Sequence, residues 1–187
     1  PRRSPPSPLS GLVERVDPRA VGRAGPGERI AGHRLVELAL VGDEAWLEAA
    51  GAENLAGKVL VDVANPLDFS RGMPPTLSIC NDDSLGERIQ AAFPEAKVVK
   101  TLNTVNNQVM TEPGRLPGAH NVFVCGEDEK AKETVTDLLV EFGWPRESVI
   151  DLGGISAARG TEMYLPLWVR LMRGPMDGPD FNIVLAR

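Results

Sequence analysis

The sequence predicts a doubly wound α/β fold with a mostly parallel sheet, a C-terminal helix and a final strand at the sheet edge. Three observations carry this. Val59 to Ala64 is apolar on both faces except at Asp62 and is stopped by Asn65-Pro66, which is how a strand buried on both sides of a parallel sheet reads. Further short apolar runs at 96–102, 121–126 and 147–152 alternate with segments of helical spacing. The joints between them are rich in Gly, Pro, Ser and Asn.

In chain order, residues 1–34 stand apart. They open Pro1-Arg2-Arg3-Ser4-Pro5-Pro6 and show no sustained apolar period, so they are expected to be poorly ordered. Gly25-Pro26-Gly27-Glu28-Arg29-Ile30 is not a phosphate loop: no strand precedes it and Ile30 stands at the third glycine position. Residues 35–187 read as one domain. Leu35 to Val41 fits either a strand or the first turn of a helix, and Asp43 starts a helix that Gly51 closes. The central strand follows, then a Pro/Gly/Ser-bearing loop over 70–82 that holds Arg71. Ser84-Leu85-Gly86-Glu87 is a capping box launching a helix to Phe93. A second strand over 96–102 ends in Asn103-Thr104, and Val105 to Met110 makes a helical turn. The third strand, 121–126, leads through Asp128 into a helix with Ala131, Val135, Leu138 and Leu139 on one face. The fourth strand is 147–152. Ala157 to Met172 is a helix that Pro166 kinks or divides. Phe181 to Leu185 is the edge strand.

Composition narrows the function classes. A net charge of −6 argues against nucleic acid or an anionic membrane as partner. Two cysteines and two histidines, all well separated, make neither a metal site nor a disulfide framework, so no metal ligand is assigned. No apolar run reaches the roughly 20 residues of a membrane span, and the cytoplasm is the default location. Cys80 and Cys125 read as packing residues rather than nucleophiles.

The functional residues are sought at the carboxyl ends of the strands, where open α/β sheets bind ligands. Asn65 and Asn103 both stand there. Each carboxamide either caps a turn or meets a ligand. Arg159 either meets an anion or pairs with Glu162 three residues on.

Three segments, Asp62-Val63-Ala64-Asn65-Pro66-Leu67, Lys100-Thr101-Leu102-Asn103-Thr104-Val105 and Ser156-Ala157-Ala158-Arg159-Gly160-Thr161-Glu162, taken in this order, resemble the NADPH-dependent coenzyme F420 reductase family from about Leu35 to Arg187. The resemblance implies a Rossmann domain with a small C-terminal extension. It implies hydride transfer between NADP(H) and a deazaflavin (F420) or a flavin-type acceptor. By position it places Asn65, Pro66, Leu67, Asn103 and Thr104 at the cofactor, and Arg159, Thr161, Glu162 and Met163 on the helix closing the acceptor side. No residue is assigned acid–base or nucleophilic catalysis, because hydride transfer between stacked rings depends on proximity and a dry pocket. The partner it implies is a small redox acceptor.

The sequence departs from the family at the opening strand–GxGxxG–helix, which supplies the pyrophosphate site. An N-terminally incomplete, truncated or out-of-frame Rossmann unit is therefore expected, with weakened NADP binding and loss of activity among its consequences. The competing expectation is a non-catalytic α/β module that forms a homodimer through the Tyr164–Trp168 helix. Trp46, on the helix that the missing unit would cover, is expected to expose apolar area.

Overall fold

The computed structural model describes residues 51–186 and the backbone of residues 35–37. Residues 1–34, the segment 43–50 expected to be helical, and Trp46 lie outside the described residues. The described strands are β1 (Leu35–Glu37), β2 (Val59–Asp62), β3 (Leu67–Asp68), β4 (Thr76–Leu77), β5 (Lys97–Thr101), β6 (Val122–Cys125) and β7 (Val149–Asp151). The helices are α1 (Ala52–Leu55), α2 (Leu85–Ala92), α3 (Asn107–Thr111), α4 (Glu129–Glu141), α5 (Ala158–Met163) and α6 (Leu165–Met172). No described helix is long and apolar enough to cross a membrane.

The main sheet has the order β1-β2-β5-β6-β7. β1 pairs parallel with β2, β2 with β5, and β6 with β7. β5 and β6 are antiparallel, so the mostly parallel sheet carries one reversed joint. The reason lies in the connector. A parallel return needs a crossover, usually a helix that spans the sheet. Residues 102–121 contain only the five-residue α3 and a 3-10 turn at Pro113–Arg115. The chain therefore re-enters the sheet from the end at which β5 left it.

Both faces of the sheet are covered, as a doubly wound fold requires. Leu60, Ala64 and Val98 pack with Leu85, Ile89 and Phe93 on the α2 face. Val61, Val63, Val99, Val122 and Val124 pack with Ala131, Val135, Leu139 and Trp144 on the α4 face. This alternation along β2 and β5 is the two-residue period of a strand read from both sides.

The helix ends follow the sequence. Asp128 accepts from Ala131 N at 2.8 Å and starts α4, and Gly143, at φ 100, ends it. Ser84 Oγ accepts from Glu87 N at 3.1 Å, as in a capping box, but Glu87 Oε2 takes the Ser84 hydroxyl at 2.7 Å. The Ser84 backbone N–H goes to Asp83 Oδ1 instead. Pro166 divides rather than kinks the long helix: α5 stops at Met163 and α6 begins at Leu165, with proline in its first turn where the missing N–H costs nothing.

Two expectations are corrected. The 70–82 loop is not wholly irregular, because β3 and β4 form a short antiparallel ladder from Leu67 opposite Leu77 to Asp68 opposite Thr76. Phe181 to Leu185 is not a strand. Its backbone meets the sheet at single points: Asn121 N donates to Ile183 O at 2.9 Å, and Leu185 N to Asn121 Oδ1 at 2.9 Å. The tail is strapped by side chains, with Asn106 Nδ2 donating to Pro179 O and Asn182 Nδ2 to Asn121 O. Phe181 stacks on Trp168 at 5.4 Å between ring centroids.

Candidate functional site

β2 and β5 are neighbouring parallel strands, so their carboxyl ends lie side by side. Asn65 and Asn103 meet there. Asn65 Nδ2 donates to Asn103 O at 2.8 Å, and Asn103 Nδ2 donates to Asn65 Oδ1 at 3.0 Å. The two carboxamides named from the sequence are thus brought together, and each is the other's partner. Leu102 sits at φ 60, a left-handed conformation that costs roughly 1–2 kcal/mol in a residue with a Cβ. It turns the chain off β5, and Val105 N closes that turn on Leu102 O at 3.3 Å. Thr104, beside Asn103, is buried, and its hydroxyl oxygen has no hydrogen-bond partner. Orphaned buried hydroxyls are uncommon, and this one stands next to the carboxamide pair in sequence. Pro66 is buried, with its carbonyl accepting from Ser78 N at 2.8 Å and Ser78 Oγ at 3.2 Å. Leu67 is half-buried and opens the β3–β4 hairpin.

Below this edge lies a buried charge cluster that the sequence reading missed. Lys100 Nζ donates to Asp62 Oδ2 at 2.8 Å and to Ala64 O at 2.6 Å, and pairs with Glu162 Oε1 at 2.8 Å. All three charged side chains are at most 2% exposed. The three ammonium protons thus have three acceptors, which a buried ammonium requires. The second carboxylate is also supported. Glu162 Oε2 accepts from Leu85 N at 2.9 Å and Oε1 from Gly86 N at 3.1 Å, placing its charge on the amino end of α2. Gly86 makes the close approach possible, since a Cβ there would lie 3.2 Å from both Ala158 Cβ and Ile155 Cδ1. Asp62 Oδ1 accepts from Ala64 N at 2.9 Å. Burial alone would lower the Lys100 pKa; the charges of Asp62 and Glu162 outweigh it and hold it above the ordinary lysine value.

The α5 residues behave differently from expectation. Arg159 does not pair with Glu162, which is taken by Lys100 and α2. Its guanidinium grips Glu87 instead, Nε to Oε2 at 2.8 Å and Nη2 to Oε1 at 2.6 Å. This bidentate bond holds the Glu87 carboxyl below the usual carboxylate range. Thr161 is buried and its hydroxyl donates to Ala158 O at 3.1 Å within its own helix. Met163 is exposed.

The two thiols differ in burial. Cys125 is buried in β6, and burial is the main force pushing its pKa up to about 12. Cys80 is partly exposed. Native protein should therefore consume about one equivalent of a disulfide reagent near pH 8, Cys80 forming the mixed disulfide as the reagent's thiolate leaves, with the second equivalent consumed only on unfolding. Rapid reaction of both thiols in the native protein would show that β6 opens readily.

No protein-family model matches the chain. It is 31% identical over 121 residues to the rat (Rattus norvegicus) metalloreductase STEAP3, a match covering 63% of this chain and 22% of that protein. It is 34% identical over 120 residues to the F420-dependent NADP reductase of Methanocaldococcus jannaschii, covering 64% of this chain and 52% of that one. The chain thus spans about half or less of the length of these curated relatives. A crystal structure from Arthrobacter sp. FB24, described as a candidate F420-dependent NADP reductase, superposes with a TM-score of 0.78 at 58% identity, covering 84% of this chain and 71% of that one. At that identity and coverage, the chain, with its Rossmann-like sheet and its paired strand-end carboxamides, belongs to the F420-dependent NADP reductase family.

Proposed function

We propose that this chain forms the substrate-facing part of an oxidoreductase that moves hydride between NADP(H) and a flat deazaflavin or flavin-type acceptor. The observation that carries the reading is the Asn65–Asn103 pair with the unpartnered Thr104 hydroxyl at the carboxyl end of two adjacent parallel strands. The donor set suits the nicotinamide-ribose end of the cofactor. Carboxamides and an unpartnered hydroxyl match an amide and ribose hydroxyls. The pyrophosphate end finds no match, since the chain carries no Gly-x-Gly-x-x-Gly opening a helix.

Asn65, Asn103 and Thr104 would hold the nicotinamide-ribose end of NADP(H), which would supply the hydride chemistry there. The chain's own residues orient and exclude water. Asn65 and Asn103 present amide and carbonyl groups at the strand ends. Pro66 and Leu67 are the apolar residues that follow the pair. Met163 and the α5 helix belong to the acceptor wall, where the Arg159 guanidinium is already neutralised by Glu87.

The test is direct. Calorimetric titration of this chain with NADPH should give weak binding, with Kd of about a millimolar or more, since the sequence carries no Gly-x-Gly-x-x-Gly phosphate loop. Reduction of F420 or FMN should be measurable at saturating NADPH. Stoichiometric micromolar binding would mean that another segment supplies the pyrophosphate site. No hydride transfer at any cofactor concentration would remove the proposal.

One observation favours a second reading, a self-associating module with no hydride chemistry. Leu167, Met176, Val184 and Leu185 are all about half exposed on α6 and the tail that follows it. Light scattering separates this reading: a stable dimer with no turnover would support it.

A further inference from the structure

The geometry points to Lys100 as the positioning residue of this crevice, an inference that rests on the hydride-transfer reading above. One buried ammonium touches two groups that the reading assigns to opposite walls. On one side it holds Ala64 O, the carbonyl immediately before Asn65, and Asp62 two residues earlier on the same strand. On the other it holds Glu162, which precedes Met163 on α5 and grips the first two amides of α2. The path Glu162–Lys100–Ala64–Asn65–Asn103 is continuous in hydrogen bonds and one peptide link.

Nothing in the path touches a reacting atom, so Lys100 is not a catalytic residue. It fixes the relation of the strand end that carries the carboxamides to the helix that carries the acceptor wall. Hydride transfer between two rings is sensitive to such placement, because a displacement of about 1 Å can cost on the order of 100-fold in rate. A cluster that served only the fold could be replaced by neutral groups of the same shape without consequence. A positioning cluster could not, because neutral groups of that shape lack the three-way grip of the ammonium.

The experiment uses this chain carrying Asp62→Asn, Lys100→Met and Glu162→Gln together, which leaves no uncompensated charge. Glu162→Gln alone is the milder arm, leaving the Lys100–Asp62 pair intact. Thermal unfolding confirms that each variant folds. The first readout is the side-chain amide NMR signals of Asn65 and Asn103 in the ligand-free chain. The expectation is that they shift or broaden strongly in the triple variant, and less in Glu162→Gln. The second is turnover with NADPH and FMN: kcat should fall by about tenfold or more while KM for NADPH stays within about threefold. Unchanged amide signals in both folded variants would overturn the inference, as would shifted signals with kcat intact. A wild-type chain without turnover would remove the proposed reaction and leave the amide signals to decide whether Lys100 sets the strand ends.

Discussion

Replacing Lys100 alone with methionine should lower the stability of the chain by about 3–5 kcal/mol, the cost of breaking a buried ion cluster by removing one partner. The substitution deletes the cation that, among the described residues, pairs with two carboxylates that are at most 2% exposed. It also strips Ala64 O of its donor. The α2 amides still support Glu162, so the loss falls mainly on Asp62. Urea unfolding should show a lower midpoint with little change in slope. The neutral triple variant described above should recover the part of the loss that comes from uncompensated buried charge, while Ala64 O still lacks its donor. A loss below about 1 kcal/mol for Lys100→Met would mean that water reaches the cluster. The pH dependence follows from the sign of the shift. The folded-state pKa of Lys100 lies above the ordinary 10.5, raised by Asp62 and Glu162 against the opposing effect of burial. Its stabilising contribution is therefore complete below the unfolded value. It disappears only as the pH rises through the folded one, so this group predicts a loss at strongly alkaline pH and none near neutrality.

What the sequence disclosed and what it hid divide along the range of the interactions. Asn65-Pro66, the Ser84 and Asp128 caps and Pro166 all act within a few residues, and each was readable as a stop or a start. The burial of β2 on both faces was also readable from its unbroken apolar run. The Lys100 cluster was not, because its third member is far away in sequence and a lone lysine in an apolar run reads as a surface residue. A usable signal was nonetheless present. Asp62 and Lys100 are single opposite charges in two apolar strands expected to be neighbours, and the structure places them in register. The same non-local reasoning explains Arg159. Its neighbour at i+3 was the obvious partner, but Glu162 was claimed by Lys100, leaving Glu87 on α2 to pair with the arginine. The reversed β5–β6 joint had no local signature, since only the path of residues 102–121 in space decides it. Phe181 to Leu185 has strand-forming side chains, yet its backbone groups bond Asn121 at single points instead of a ladder, and composition cannot distinguish the two.

Trp144→Ala should cost about 3–5 kcal/mol, the range for deleting a fully buried large aromatic side chain. Trp144 is 1% exposed and packs among Val109, Val122, Val135 and Leu139 on the α4 face. It meets His120 edge-on, with 5.0 Å between ring centroids. Its indole N–H donates to Met110 O at 3.0 Å, the carbonyl of a residue in α3. That bond gives a way to separate packing from positioning. Trp144→Phe keeps most of the apolar volume and removes the donor, so it should cost about 1–3 kcal/mol, the penalty of an unsatisfied buried acceptor. The loss should be local as well as global. α3 follows directly on Asn103, Thr104 and Asn106, and the Asn106 side chain caps it through Gln108 N and Val109 N. Hydrogen exchange at α3 amides should therefore accelerate in Trp144→Phe while α2 amides, on the opposite face of the sheet, keep their protection. Equal acceleration on both faces would mean that the indole supports the sheet as a whole. Acceleration confined to α3 would make Trp144 the anchor of the segment leading away from the carboxamide pair, on the face opposite the Lys100 cluster.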